Sequence, residues 1–357
     1  MVPSPPPARW SSQATRAMAK ISFTGFYPSR PYWAVSRVNF HVPRVDRWFH
    51  DQMAEVMFSR DTDALSLRIS RDGEILIRIA RLESNAPNTV PSPIEDEDTV
   101  RRWGEYLDYL NTFYLLLDSA TIERDHRAYF NLHEITTRDA FRVSYEDGKR
   151  IDENIANESI ASVFQTARFV GTYRSESDIE HHPLIVMRAV ISRDAISHAA
   201  SEFERIVASA GAEKTLASFA KSLSEYKVGN YETCIVLAWF VTEAAISSLW
   251  ERQLDALNQD LPDGRRRINS DRRHFLTGRD LPTSVVSNLL ELFGAVDHEL
   301  FEDIDKVRRF RNQIVHPTQF TPRAAEAQLA MGTALSMIRR IWNIHLTPSL
   351  GYSVPGL

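Results

Sequence analysis

The chain has 357 residues, 43% of them hydrophobic and 25% charged, with a net charge of −5 and a single cysteine. This length exceeds what one hydrophobic core usually serves, so two domains are expected, and the composition argues against wholesale disorder. The net charge argues against a uniformly basic nucleic-acid-binding surface, and the lone Cys234 excludes intramolecular disulfides and cysteine-based zinc sites.

Residues 1–20 mix Pro, Ser, Ala and scattered charges without periodicity, which predicts a flexible tail. The Pro-rich start, Val2 to Pro7, lacks the apolar stretch that a secretory signal requires. No run of about 18 or more consecutive apolar residues follows. We therefore expect a soluble, cytoplasmic protein without a membrane partner.

Two stretches near the amino terminus predict β-strands. Short apolar runs punctuated by prolines lie between Ile21 and Val42, where Val38, Phe40 and Val42 alternate. A β-hairpin is predicted further along, because two alternating apolar runs flank an Asp-Gly turn. The alternating residues are Leu65, Leu67 and Ile69 before the turn and Ile75, Ile77 and Ile79 after it.

The stretch from Asp96 to Ala120 predicts one long amphipathic helix, because its large apolar residues recur at helical spacing after an acidic start. A strand-like pattern returns between Ala128 and Val143, followed by a turn at Asp147-Gly148 and a helical stretch from Glu158 to Phe169. We therefore predict an α+β sensing or regulatory domain over residues 21–200.

Beyond residue 200 every strong pattern is helical, which predicts an all-α domain over residues 201–346 and a carboxy-terminal tail over 347–357. The position of the domain boundary is predicted to within about twenty residues of residue 200. The predicted helices are Lys214–Tyr226, Tyr231–Leu257, Thr283–Phe293, His298–Val315 and Pro322–His345.

Two of these helices each place one charge within an apolar stripe. In the helix His298–Val315, Arg311 falls in the middle of a stripe, and in Tyr231–Leu257 Glu243 does the same. An unpaired buried charge costs several kcal/mol, so we expect the two helices to pack with Glu243 against Arg311. The stripes consist of Leu300, Ile304, Val307 and Ile314, and of Val236, Trp239, Phe240, Trp250 and Leu254.

Asn312 and His316 lie four residues apart and therefore share a face that differs from the face of Arg311. Pro317 disfavours helical geometry at His316, so the helix should end there and leave the ring accessible. An anchored guanidinium beside an accessible imidazole suits phosphate chemistry. Spacing alone also fits a purely structural role for each residue.

The segment KVRRFRNQIVHP, from Lys306 to Pro317, resembles the signature of HEPN domains, in which an Arg precedes a His by four to six residues and Asn often follows the Arg. The helix YETCIVLAWFVTEAAISSLW resembles the family's earlier core helix with its acidic residue. A trailing helix completes the likeness, which covers residues 213–346.

The resemblance implies a helical bundle that dimerises so that two motifs form one RNA-cleaving cleft, as in toxin–antitoxin and anti-phage systems. Arg311, Asn312 and His316 are the implied catalytic residues, with Glu243 in support. Transesterification by the ribose 2′-hydroxyl needs a group that takes a proton and one that gives a proton, which two His316 side chains would supply. No metal or other cofactor is expected. Partners are RNA, a second copy of the chain, and an antitoxin or phage-derived trigger.

Two other features of the sequence are weaker evidence of binding sites. A cluster of arginines in the loop between two helices predicts an RNA track, that is, a positively charged surface that binds RNA phosphates. It is equally consistent with a solvated loop that has no role in binding. The segment Glu180-His181-His182 lacks a further spaced ligand and is more typical of a surface turn than of a metal site. The arginines are Arg265, Arg266, Arg267, Arg272 and Arg273.

Two rival functions remain open. The helical domain is either an active ribonuclease or a catalytically silent HEPN module that binds a partner protein, nucleotide or RNA. Alternatively, the amino-terminal domain holds an activity of its own, and the helical domain only dimerises it.

Overall fold

The computed structural model describes residues 20–41, 47–83, 97–154, 159–209, 211–278, 281–316 and 320–352. The amino-terminal part is rich in strands and the remainder is mostly helical, which confirms the predicted order of an α+β region followed by helices. The predicted tail at residues 1–20 lies almost entirely outside the described residues.

Six strands form one antiparallel sheet in the order β3-β4-β5-β1-β6-β7, and β2 pairs with β8 in a separate parallel pair. The edge strands β3 and β7 line the same cleft, so the sheet is strongly curled. The strands are β1 (Ile21–Phe26), β2 (Tyr32–Ala34), β3 (Val56–Asp61), β4 (Leu65–Ser70), β5 (Ile75–Ile79), β6 (Phe141–Glu146), β7 (Lys149–Glu153) and β8 (Ala189–Ile191).

The predicted hairpin is confirmed as β4 and β5, with the alternating residues of both strands buried in the core. Its turn needs a glycine, because Gly73 adopts a φ of 89° and a Cβ there would lie 2.6 Å from the Tyr32 ring. The alternation of apolar and less apolar residues therefore fixes which face of the hairpin is buried.

The hairpin turn carries a buried cluster of charges. Asp72 and Glu74 are fully buried, and the equally buried Arg168 donates to Asp72 at 2.6 Å and lies 2.8 Å from Glu74. Arg150 donates to both carboxylate oxygens of Glu74 at 2.7 Å. Burial alone would raise the pKa of Glu74, but Arg168 and Arg150 outweigh burial and lower that pKa to about 2.

Helices pack on both faces of the sheet, and the later helices form a bundle. The helices are α1 (Trp48–Ala54), α2 (Ala80–Glu83), α3 (Glu97–Asp125), α4 (Ile160–Ala167), α5 (Val170–Tyr173), α6 (Glu176–Glu180), α7 (Pro183–Val186), α8 (Arg193–Val207), α9 (Ala212–Lys227), α10 (Tyr231–Leu257), α11 (Ser270–Thr277), α12 (Thr283–Leu292), α13 (His298–Val315) and α14 (Ala324–Trp342). One continuous buried apolar cluster extends from the sheet through α3, α8 and α9 to α10 and α14.

Two strand predictions are right only in part. The stretch from Ile21 to Val42 contains β1 and β2, but Val38 and Phe40 lie in irregular chain and Val42 lies outside the described residues. The strand predicted from Ala128 begins only at Phe141. The irregular segment before β6 hydrogen bonds to side chains instead of a neighbouring strand. The Asn111 amide of α3, for example, accepts from the Ile135 N–H at 2.7 Å and donates to its carbonyl at 2.9 Å.

Helix α8 passes through residue 200, so a domain boundary at that residue would cut a helix. The division into residues 21–200 and 201–346 therefore stays a prediction. Residues 347–352 of the predicted carboxy-terminal tail contact the protein: the Thr347 N–H donates to Ser119 Oγ at 2.8 Å, and Tyr352 stacks on Tyr226.

Among the described residues, α10 is the helix that is long and apolar enough by length and composition to cross a membrane. Half of its most apolar window is buried inside the protein, where α10 packs against α9, α13 and α14. Cys234 is buried on this helix, with its sulfur 3.4 Å from Ser222 Oγ, as expected for a packing residue. These contacts are those of a helix in the core of the bundle.

Candidate functional site

Helix α13 positions the candidate catalytic residues. It begins after Asp297, whose carboxylate caps the helix by accepting from the Leu300 N–H at 2.9 Å. Ile304 and Val307 are buried, which confirms the predicted inner face. Because this face packs against α10, α12 and α14, the final turn of α13 is held at a fixed place on the bundle.

The helix ends where the sequence predicts. Val315 is its last residue, and His316 adopts an extended conformation with φ −97° and ψ 145°. The His316 N–H still donates to the Asn312 carbonyl at 3.0 Å, so the backbone at the histidine is anchored while its side chain is exposed. Pro317, the residue on which this prediction depends, lies outside the described residues.

Arg311 and Asn312 are half-buried and contact each other: Arg311 Nη1 donates to Asn312 Oδ1 at 3.1 Å. Asn312 was predicted on a different face of the helix from Arg311, but the long guanidinium reaches round the helix to the neighbouring amide. Arg311 Nε is buried and has no hydrogen-bond partner among the residues that the structure describes. Such an N–H is costly to leave unsatisfied.

The other arginines on this part of α13 are neutralised within the helix. Arg308 lies 2.6 Å and Arg309 2.5 Å from the carboxylate of Asp305. In contrast, Arg311 lies within 4.0 Å of no carboxylate in the described part of the chain. Its guanidinium therefore keeps donor capacity for an external anion.

The predicted ion pair between Glu243 and Arg311 is wrong. The Glu243 carboxylate instead accepts a hydrogen bond from Thr283 Oγ1 at 2.7 Å. The prediction treated α10 and α13 as an isolated pair, whereas α12 packs against both helices and places its first residue, Thr283, beside Glu243. Phe240, predicted on the buried stripe of α10, is 47% exposed.

This geometry lowers the expected cost of removing Glu243. We predict that Glu243→Ala decreases the free energy of unfolding by about 1 kcal/mol, the value typical of one hydrogen bond, instead of the ~3 kcal/mol typical of a broken buried ion pair. Chemical denaturation measures this loss. Thr283→Val is the matched control, and the double variant should lose no more than either single variant. A loss of about 3 kcal/mol or more that Thr283→Val does not reproduce would restore the ion pair.

The predicted RNA track is partly neutralised by its own aspartates. Arg265 pairs with Asp263, Arg266 lies 3.2 Å from Asp260, and Arg273 pairs with Asp255. The remaining two arginines contact each other, because Arg272 Nη1 donates to the Arg267 carbonyl at 3.1 Å. All these pairs are exposed, so each contributes little to stability and can be exchanged for phosphate. A role in RNA binding stays a prediction.

A second candidate region lies away from α13. A cleft of about 690 Å³ opens between β3, β7, α1 and α4, and none of its lining residues comes from α10 to α14. Sequence analysis missed this cleft. Its residues come from two distant segments, residues 47–56 and 145–169, and they form no local motif. Among the described residues no group of three or more His, Cys, Asp or Glu side chains is arranged to hold a metal ion, and this includes the Glu180-His181-His182 segment.

Comparisons of this chain with protein-family models, with curated proteins and with solved structures find no match. The chemistry of the site therefore has to be argued from its residues.

Proposed function

We propose that this protein is a metal-independent endoribonuclease of the HEPN type, which acts on RNA in anti-phage defence or toxin–antitoxin growth control in the cytoplasm. The observation that supports it best is the state of Arg311. This guanidinium is half-buried, has an unsatisfied Nε and no carboxylate partner in the described chain, and lies on the last turn before the exposed His316.

Arginine binds phosphate oxygens through a planar fork of N–H groups, and a partly buried guanidinium binds more strongly than an exposed one. Arg311 would stabilise the extra negative charge that develops on the phosphate during cleavage. Asn312 would hold the guanidinium through its present 3.1 Å hydrogen bond and offer its NH₂ group to a phosphate oxygen. The ribose 2′-hydroxyl of the substrate would serve as the nucleophile.

His316 would transfer protons. One imidazole cannot at the same moment take the proton of the 2′-hydroxyl and protonate the leaving 5′-oxygen. We therefore include a second copy of the chain in the proposal, so that two His316 side chains face one scissile phosphate. An antitoxin or a phage-derived trigger would control when this occurs.

His316→Ala tests the proposal. We expect RNA cleavage by the full chain to fall by about 10²–10⁴-fold, the range typical of a lost general acid–base group. Folding should be unaffected, because the His316 side chain is exposed and forms no hydrogen bond or ion pair with the described residues. Cleavage of a labelled RNA measures the loss, and melting and light scattering check the fold and the dimer mass.

His298→Ala is the matched control, because His298 is an exposed histidine at the opposite end of the same helix. This variant should cleave RNA like the wild type. Equal activity of folded His316→Ala and wild type would contradict the proposed role of the histidine. RNA binding without any cleavage by the wild type would favour the catalytically silent HEPN module.

A further inference from the structure

The cleft between the two edges of the curled sheet has the features of a ligand site. Val56 of one edge and Arg150, Ile151 and Asp152 of the other line the same cavity, together with Ala54 at the end of α1. Its volume of about 690 Å³ lies within the range of small-molecule sites, which is about 300–1,000 Å³. The cleft therefore has room for a molecule larger than a single inorganic anion.

Arg47 lines the cleft and has an unusual backbone. It adopts a φ of 62°, which a non-glycine residue seldom does, directly before α1. Its Nη2 lies 3.3 Å from the ring nitrogens of His50, and no carboxylate of the described chain pairs with its guanidinium. Among the described residues, Arg47 is thus a cation at the cleft to which no carboxylate is paired.

Two flat rings stand next to this cation. The His50 and Phe169 rings lie 5.0 Å apart at an angle of 44°, and both residues line the cleft. Phe169 is 46% exposed although it is a large apolar side chain. An exposed aromatic face beside a cation is the combination on which nucleobases stack.

A second guanidinium is fixed at the opposite edge. Arg150 is mostly buried and is held by two hydrogen bonds of 2.7 Å to the buried carboxylate of Glu74, so its position is rigid. The acidic residues of the cleft, Asp51 and Asp152, are 67% and 60% exposed. Water screens their charge more than the charge of the buried guanidinium.

We propose that this cleft binds a nucleotide, with the phosphate between Arg47 and Arg150 and the base against Phe169 and His50. A purely apolar ligand would desolvate the guanidinium groups without replacing their hydrogen bonds, which is costly. A phosphate ion alone would leave the exposed Phe169 face in water and most of the cavity unfilled. The proposal is independent of the ribonuclease site, because the two sites share no residue.

Calorimetric titration of the full chain with the four common ribonucleoside 5′-monophosphates tests the proposal. We expect one site per chain, with at least one monophosphate bound about tenfold or more tightly than its nucleoside and than inorganic phosphate. Arg47→Ala should weaken the monophosphate about tenfold and leave the nucleoside unchanged. Phe169→Ala should weaken both by about the same factor, at least fivefold.

Phe275→Ala and Arg309→Ala are the matched controls, since they remove an exposed phenylalanine and an exposed arginine far from the cleft lining. Both should bind like the wild type. Absence of saturable binding at millimolar monophosphate, equal affinity for inorganic phosphate, or unchanged binding by folded Arg47→Ala would each overturn the proposal. Loss of binding in Arg311→Ala would assign the nucleotide to α13 instead and would also overturn it.

Discussion

Arg311→Ala is expected to lower RNA cleavage by about 10²-fold or more while leaving the melting temperature unchanged within error. The guanidinium is positioned to stabilise negative charge on the phosphate, and that charge grows as the 2′-hydroxyl attacks. Folding should survive, because Arg311 pairs with no carboxylate of the described residues, so its removal leaves none of them as a buried charge without a partner.

The arginine two positions earlier provides the control. Arg309 lies on the same helix and is 69% exposed, but it pairs with Asp305. Arg309→Ala should cleave RNA like the wild type. Arg311→Lys should remain well below the wild type, because an ammonium group does not reproduce the two parallel hydrogen bonds of a guanidinium. Full activity of folded Arg311→Ala, or an equal loss in Arg309→Ala, would remove Arg311 from the proposed mechanism.

Arg168→Ala is expected to destabilise the protein by about 3–5 kcal/mol, a loss comparable with the whole stability of a marginal domain. Arg168 is 1% exposed and contacts two fully buried carboxylates, those of Asp72 and Glu74. Removing the guanidinium takes away the ion pair of Asp72 with Arg168. Glu74 then keeps its ion pair with Arg150 but loses the one with Arg168. Chemical denaturation measures the loss, and the exposed Arg174→Ala should change stability by less than about 0.5 kcal/mol.

The same substitution should change how stability depends on pH. The pKa of Glu74 in the folded wild type is lowered to about 2, so ionised Glu74 stabilises the fold above its ordinary pKa, and this contribution is lost as the pH falls toward 2. Without Arg168, burial is opposed by Arg150 alone and the folded pKa rises. The stability difference between variant and wild type should therefore narrow as the pH falls from the raised pKa of Glu74 in the variant toward about 2, its pKa in the wild type. A constant difference would show that the cluster does not control Glu74.

The sequence predicted local structure well where one face of an element is buried. Both bounds of α10 and α13 were predicted to the residue, because apolar spacing, the capping Asn230 and Asp297, and the residues at the carboxyl ends agree. The hairpin β4–β5 was predicted because apolar residues alternate along both strands and an Asp-Gly turn lies between them. Local pattern and tertiary packing agree at these elements.

Prediction from the sequence failed where the contact between two elements depends on the position of a third helix or segment. Two helical wheels paired Glu243 with Arg311, but the position of Thr283 depends on the loop before α12, which no periodicity describes. The segment before β6 was predicted as a strand from its apolar pattern, although the Asn111 side chain, not a neighbouring strand, bonds the backbone of Ile135. The cleft was missed because the curl of the sheet brings Arg47 and Arg150 to one cavity.

The chemical nature of the RNA ends tests the central claim most directly. Attack by the neighbouring 2′-hydroxyl expels the 5′-oxygen of the next nucleotide, so the account predicts products that carry a 2′,3′-cyclic phosphate and a 5′-hydroxyl. Because the substrate supplies the nucleophile, these products should form equally in the presence of a chelating agent. Mass spectrometry of a short RNA incubated with the full chain distinguishes the possible ends. Cyclic phosphate ends that disappear in His316→Ala are the predicted result, and products with a 3′-hydroxyl and a 5′-phosphate would contradict the account.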